Sequence, residues 1–356
     1  MQEVEQLKTL ISKTIEQLKL DLTGLTIVTE AASGNFIVTP MIAALAGAKK
    51  VIALTKDSQY GTAADVQKST QELARELGIN NTISIYSDRK KEYFEQADVA
   101  TNLGFVRPID KTIVGWLKRT AVIPLMFETF EFRSTDLDLS ACQAKGISVL
   151  GTNESTNGID IMQYLGLVVL KLISEQGIDV SQCKVVIVGD DVFGPAIVNT
   201  LIRREIQIDL IAGPLSGTKA QQLLSAADIL VFADIKKRTV ILGQGGELTV
   251  QQLKQLNNNI KIVHLSGGVD QAELDKYSLP YTPDKLAPIG YMSITTGCLG
   301  PQPIIELHTA GLKVGEELAR ARLSGLGFKE SMAEALKNSV AQDFSKEQKE
   351  KYAYNK

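Results

Sequence analysis

Residues 184–202 read KVVIVGDDVFGPAIVNTLI: an apolar, β-branched run, a short acidic turn and an apolar helical pattern. Such a run, bounded by turn residues, fits a strand buried on both faces, and a helix follows it. A strand, tight turn and helix in this order open a βαβ unit, and a parallel sheet follows from it. Gly189 and Gly194 hold the first and third places of the dinucleotide pattern GxGxxG, whereas Asp191 holds the second. A carboxylate there adds like charge where a pyrophosphate would meet the helix N-terminus. Asp191 equally suits a helix N-cap, which is compatible with a shifted cofactor or with none. Val192 and Phe193 complete the turn on the expected cofactor side. The acid that would bind an adenosine ribose after the next strand is missing, because IDLIAGPLSG places Ala212 and Gly213 there. Ser216 and Lys219 are the residues of that stretch suited to a 2′-phosphate.

The alternation continues in both directions. Upstream, strands are expected at Thr26–Thr29, Val51–Thr55, Ile83–Tyr86, Val99–Asn102, Ala121–Leu125 and Ser148–Leu150. Thr62 and Asp65 form a capping box for one intervening helix, and Gly78 stops it. A long apolar helix is expected over Ile159–Ile173. Downstream, strands are expected at Gln207–Ile211, Ile229–Phe232, Lys261–Leu265 and Tyr291–Thr295. Pro301 and Pro303 open a helix that runs to Leu323 and ends at Gly325. The tail KEQKEKYAYNK reads as a solvated end. These elements divide the chain into a substrate domain, residues 1–155 plus 303–356, and a Rossmann-type domain, residues 156–302.

A chain of 356 residues is comfortable as two domains. A net charge of −3 gives no reason to expect nucleic acid as a partner. The start, MQEVEQLKTLISKTIEQLKL, is an amphipathic helix rather than a signal peptide, and no run approaches the roughly 18 apolar residues of a membrane span. Three distant cysteines, Cys142, Cys183 and Cys298, fit reduced thiols and a cytoplasmic location. With two histidines and no CxxC, no metal site is expected.

Over about residues 97–325 the order and spacing of elements resemble the D-2-hydroxyacid dehydrogenases. Asp136, Asp138 and Leu139 match a helix start of that family, Gly146, Ile147 and Val149 the strand that follows, and HLSGGVDQAEL (264–274) a later segment. The resemblance implies an α/β protein of two Rossmann-like or flavodoxin-like parallel-sheet domains with a ligand cleft between them. It also implies a C-terminal helix returning to the first domain, NAD or NADP as cofactor, and a homodimer. The family's catalytic arginine, histidine and glutamate fall at Ser266, at Gly297–Cys298 and loosely at Asp284, so ordinary 2-hydroxyacid oxidation is not expected. The segments Gly189–Pro195 and TTGCLGP also resemble methylenetetrahydrofolate dehydrogenase/cyclohydrolases, but Tyr60 and Lys68 do not make that family's Tyr-x-x-x-Lys pair.

In open parallel sheets ligands bind beyond the carboxyl ends of the strands. Those ends supply Glu30, Ser33, Asn35, Asn102 and Asn153 as candidate substrate-binding residues. The stretch FETFEFR (127–133) sets two carboxylates and a guanidinium among phenylalanines. Apolar neighbours raise a carboxyl pKa, so Glu128 or Glu131 suits a general acid or base, and Arg133 suits a substrate carboxylate or a nearby glutamate. His264, at a strand end, is a candidate for proton transfer or a structural hydrogen bond; His308 fits a packed helix position. Ser266 and Gly267 join Gly189 and Gly194 as expected cofactor contacts. Together these residues suit an NAD(P)-dependent oxidoreductase acting on a small carboxylate- or amino-acid-like molecule. The alternatives are a lyase or transferase on the same scaffold, or a non-catalytic ligand-binding protein with a decayed dinucleotide site.

Overall fold

The computed structural model describes residues 2–156, 158–189, 192–352 and 354. The chain divides into two compact units, Met1–Asp160 with Gly300–Lys356, and Ile161–Leu299. Unit 1 opens with α1 (Gln2–Leu18) and then alternates: β1 (Thr26–Glu30), α2 (Val38–Leu45), β2 (Lys50–Leu54), α3 (Ala63–Glu76), β3 (Ile83–Tyr86), α4 (Lys91–Phe94), β4 (Val99–Ala100), α5 (Lys111–Trp116), β5 (Val122–Pro124), α6 (Leu139–Lys145) and β6 (Ser148–Thr152). A small hairpin, β7 (Ser155–Thr156) and β8 (Ile159–Asp160), follows. Unit 2 runs through α7 (Gln163–Glu175), β9 (Lys184–Val188), α8 (Phe193–Ile202), β10 (Gln207–Ile211), α9 (Thr218–Ser225), β11 (Ile229–Ala233), β12 (Val240–Leu242), α10 (Val250–Leu256), β13 (Lys261–Ser266), β14 (Gly268–Val269), α11 (Gln271–Lys276) and β15 (Tyr281–Thr282). The chain then returns to unit 1 with α12 (Gln302–Leu323), α13 (Phe328–Ala335), β16 (Ala341–Gln342) and α14 (Lys346–Lys351).

Unit 1 carries a sheet of order β16-β6-β5-β4-β1-β2-β3, parallel except for β16 at the edge. Counted along the chain, its six parallel strands lie 3-2-1-4-5-6, the dinucleotide-fold order, with the switch point between β1 and β4. Unit 2 has the order β10-β9-β11-β13-β15, or 2-1-3-4-5, the flavodoxin-like arrangement. The protein is thus α/β, with two large, mainly parallel sheets; β12 and β14 form a further short parallel pair. Among the described residues no helix is long and apolar enough to cross a membrane.

Local chemistry explains the element ends. Thr62 accepts the Asp65 N–H at 3.1 Å and starts α3. The return helix α12 is buried along most of its length against unit 1. Its close approach depends on Gly311 and Gly315, where a Cβ would lie 2.5 Å from Met126 Sδ and 2.7 Å from Val99 Cγ1. His308 sits in this helix, 2% exposed, with Nδ1 2.6 Å from Thr39 Oγ1. Burial pushes its pKa down to about 4, so it is neutral at physiological pH.

Three sequence expectations need correction. Tyr291–Thr295 is no strand: Ser293 N–H reaches Leu265 O at 2.7 Å, but no ladder follows, and the fifth strand is β15, paired Ile262↔Tyr281. The helix expected from Ile159 starts at Gln163, because Ile159 and Asp160 pair with Thr156 and Ser155 instead. The lysine-rich tail is not simply solvated. Ser345 and Gln348 form a capping box for α14, and Tyr354 beyond it is 0% exposed. Its ring meets Phe328 and Phe344 edge-on, an apolar anchor hidden among charged neighbours.

Candidate functional site

In unit 2, β9 ends at Val188 and α8 begins at Phe193, the strand and the helix that the sequence predicts. Gly189 has φ +152°, and a Cβ on it would lie 2.4 Å from Ala233 O. A Cβ on Gly194 would lie 1.8 Å from Gly189 O, so α8 rests directly on the turn. Asp191 lies outside the described residues; Val192 occupies the position before Phe193 and gives no side-chain cap. Beside Gly189 a cavity of about 290 Å³ opens at the ends of β9 and β10, and its lining includes Ala212, Gly213, Asp234, Lys237 and Glu247.

Glu247 was not legible as a site residue. It follows the Gly243-Gln244-Gly245-Gly246 turn after β12, far in sequence from β10. Its Oε2 accepts the Leu215 N–H at 2.9 Å, and its Oε1 pairs with Lys237 Nζ. Ser216 is exposed and is not among the residues that line this cavity. At the end of β13, Ser266 is buried and its hydroxyl has no partner among the described residues, while the adjoining Gly267 has φ +118°. A dinucleotide fits this edge: it offers a helix start pressed on a glycine turn, a cavity beside it with a carboxylate, and an unsatisfied buried hydroxyl.

His264 is a brace here. Gly267 O only accepts, so Nε2, 3.1 Å away, carries the proton. Ser293 Oγ takes the Ala287 N–H at 2.7 Å and donates to His264 Nδ1 at 2.7 Å. Both ring nitrogens are used within the unit, the ring is 0% exposed, and burial lowers its pKa. The expected role in proton transfer gives way to a structural one.

In unit 1, Glu30 and Asn102 come together at the switch point. β1 and β4 pair Val28↔Ala100, and the Thr101 hydroxyl donates to Thr29 Oγ1 at 2.9 Å. Glu30, the last residue of β1, and Asn102, two residues past β4, follow directly on this pair. Asn102 Oδ1 accepts the Met126 N–H at 2.8 Å, but its buried Nδ2 has no partner; neither has the Thr55 hydroxyl at the end of β2. Glu30 is buried and accepts the Phe105 N–H at 3.1 Å. Desolvation raises its pKa, opposed by that bond and by the Arg107 charge. Ser33 and Asn35 lie half-buried in the loop leaving β1. Asn153 serves a different end: Nδ2 donates to Ser339 O at 3.0 Å and Oδ1 accepts from Ser155 N–H, so it ties two loops.

FETFEFR proves to be an anchorage. Glu128 accepts the Glu154 N–H at 3.3 Å and Gln342 Nε2 at 3.2 Å. Phe132 packs edge-on against Phe344 and Tyr352. Arg133 Nε lies 3.0 Å from Asp136 Oδ2, which also takes Arg107 at 2.6 Å. The expected general acid or base and the substrate clamp are thus engaged with the C-terminal segment and with Asp136. Beside this stretch, the Glu154 pKa is raised well above the usual range by desolvation and then by Glu131 and Glu128. A raised folded pKa means stability present below the ordinary glutamate range and lost as pH rises toward the folded value. Glu154→Gln, which mimics the protonated form, is expected to melt like the parent at pH 4 and clearly higher at pH 8. Equal melting temperatures at both values would refute this protonation state.

No protein-family model matches the chain, and no curated protein matches it. Solved structures similar to it include a dipicolinate synthase subunit from Bacillus halodurans, with 10% identity and TM-score 0.49 over 81% of this chain and 96% of that one. The NAD+-bound 3-phosphoglycerate dehydrogenase of Entamoeba histolytica matches at 10% identity and TM-score 0.41, over 85% and 96%. The NAD-complexed D-isomer specific 2-hydroxyacid dehydrogenase of Lactobacillus delbrueckii ssp. bulgaricus matches at 11% identity and TM-score 0.42, over 84% and 98%. These are likenesses of chain architecture.

Proposed function

We propose that the protein is a nicotinamide dinucleotide-dependent oxidoreductase acting on a small carboxylate- or amino-acid-like molecule. The observation that carries this reading is the close approach of α8 to Gly189, so tight at Gly194 that only hydrogen fits, with an open cavity beside it that Asp234, Lys237 and Glu247 help to line. When bound, NAD or NADP supplies hydride chemistry. Gly189, Val192, Phe193 and Gly194 provide the backbone that faces its phosphates, and Ser266 with Gly267 the adjoining edge.

The substrate site is the unit 1 switch point. Asn102 Nδ2 needs an acceptor and suits a carbonyl or carboxylate oxygen, with Ser33 and Asn35 on the same loop edge. Glu30 takes over the acid–base role that FETFEFR and His264 do not fill. Burial raises its pKa, while the Phe105 N–H and the Arg107 charge favour its carboxylate form, the balance an acid–base group needs.

The test is direct titration with NADH and NADPH by nucleotide fluorescence and thermal shift, then 2-hydroxy, 2-oxo and 2-amino acids followed by nicotinamide absorbance. Saturable binding and turnover are expected. Glu30→Gln should lower kcat about 100-fold or more while leaving dinucleotide binding intact. Absence of binding at millimolar concentrations of both dinucleotides sinks the proposal.

A further inference from the structure

Resting on the dinucleotide reading above, we infer that Glu247 replaces the missing ribose acid and selects NAD over NADP. In the usual arrangement an acid at the end of the second strand accepts the ribose 2′-hydroxyl. Here that strand, β10, ends at Ile211 and is followed by Ala212 and Gly213, so this wall of the cavity carries no carboxylate. The cavity at that wall receives Glu247 instead, delivered by a different segment of the chain.

Its delivery is rigid. Gly243 has φ +139° and Gly245 φ +75°, so the turn after β12 adopts a course that side chains resist. The Glu247 N–H then returns to Ile241 O at 3.0 Å, and the carboxylate is tied to the Leu215 N–H just past β10. This last bond keeps the carboxylate beside the segment that follows β10. With its side chain 18% exposed, Glu247 still presents a face to the open volume.

The charge balance favours a hydroxyl over a phosphate. Among the described residues, the ionisable side chains lining the cavity are Asp234, Glu247 and Lys237, two acids against one base. Lys237 is already paired with Glu247, and its own N–H donates to Asp234 Oδ1 at 2.8 Å. A ribose 2′-hydroxyl would donate to the remaining lone pairs of Glu247, whereas a 2′-phosphate dianion would meet a fixed carboxylate in a partly desolvated pocket. Lys237 is the residue that would serve a 2′-phosphate if the selection ran the other way, and the experiment separates the two.

Dissociation constants for NADH and NADPH are measured by fluorescence on the intact parent, Glu247→Gln and Lys237→Ala. The parent is expected to hold NADH at least about tenfold more tightly, and Glu247→Gln to shrink that ratio by about tenfold, chiefly by improving NADPH. Equal or tighter NADPH binding by the parent overturns the assignment, whether or not the variants fold. An unchanged ratio in a folded Glu247→Gln, or a loss of NADPH affinity in Lys237→Ala as the only change, overturns it as well. If neither nucleotide binds the parent, the dinucleotide reading itself falls and this assignment with it; binding of both with no effect of Glu247 overturns the selectivity alone.

Discussion

Gly194→Ala is expected to destabilise unit 2 by about 3 kcal/mol and to abolish dinucleotide binding. The added methyl would stand 1.8 Å from Gly189 O, 2.8 Å from its carbonyl carbon and 3.2 Å from Leu210 Cδ1. Two of these atoms are backbone, so relief requires α8 to lift from the strand turn. Lifting the helix also displaces the N–H groups that would face a phosphate. The measurement is hydrogen exchange across residues 184–211, where protection should fall, alongside an NADH titration. Gly213→Ala is the control: no atom lies within 4 Å of its Cβ position, so stability should stay within about 0.5 kcal/mol. If both variants behave alike, the close packing of α8 on Gly189 is wrong.

Tyr354→Ala should cost unit 1 about 4 kcal/mol, as expected for removing a fully buried aromatic ring. The ring closes the contacts among Phe132, Phe344 and Phe328, and the hydroxyl does something less usual. Strand β6 lies beside β16, but β16 covers only Gly151 and Thr152. Lower down, the Val149 N–H and C=O point to the open edge, because the neighbouring Leu150 O already faces β5. The Tyr354 hydroxyl satisfies both, accepting from Val149 N–H at 2.9 Å and donating to Val149 O at 3.1 Å. One phenol thus stands in for a missing strand neighbour. Tyr354→Phe keeps the ring and orphans both groups, so it should cost about 1–3 kcal/mol. Urea unfolding followed by Trp116, the only tryptophan and a unit 1 residue, reads both values. An unchanged midpoint for Tyr354→Ala would show that the tail does not carry the edge.

Much of the framework was open to direct reading. Buried parallel strands are continuous apolar runs, and Val185–Val188, Ile229–Phe232 and Val51–Leu54 announce themselves without any knowledge of their neighbours. Caps are equally local: Thr62 with Asp65 and Asp138 before α6 act within one helical turn. Short elements were harder. β15 has two residues, too few to show a period, and it exists because Ile262 and Val263 offer a free edge.

The candidate site shows the same division. Glu30 and Asn102 could be picked out because each ends a strand, a property of local sequence. That they are neighbours, that Glu30 is buried with a raised pKa, and that Asn102 Nδ2 lacks a partner are consequences of strand order. FETFEFR misled because phenylalanines beside carboxylates look alike whether they line a ligand pocket or receive the chain's own C-terminal segment. His264 misled for a related reason: its acceptor and donor, Gly267 and Ser293, come from loops that sequence does not place.

By itself, then, the amino-acid sequence determined the α/β class, two parallel sheets and the strand–turn–helix at Gly189, because hydrophobic period and turn chemistry act over a few residues. Only the tertiary structure decided that unit 1 carries the 3-2-1-4-5-6 order and that the charged tail buries Tyr354. It also decided that Glu247 arrives where β10 leaves no acid. Each depends on which distant segments share an edge, a property of chain topology and packing with no local signature.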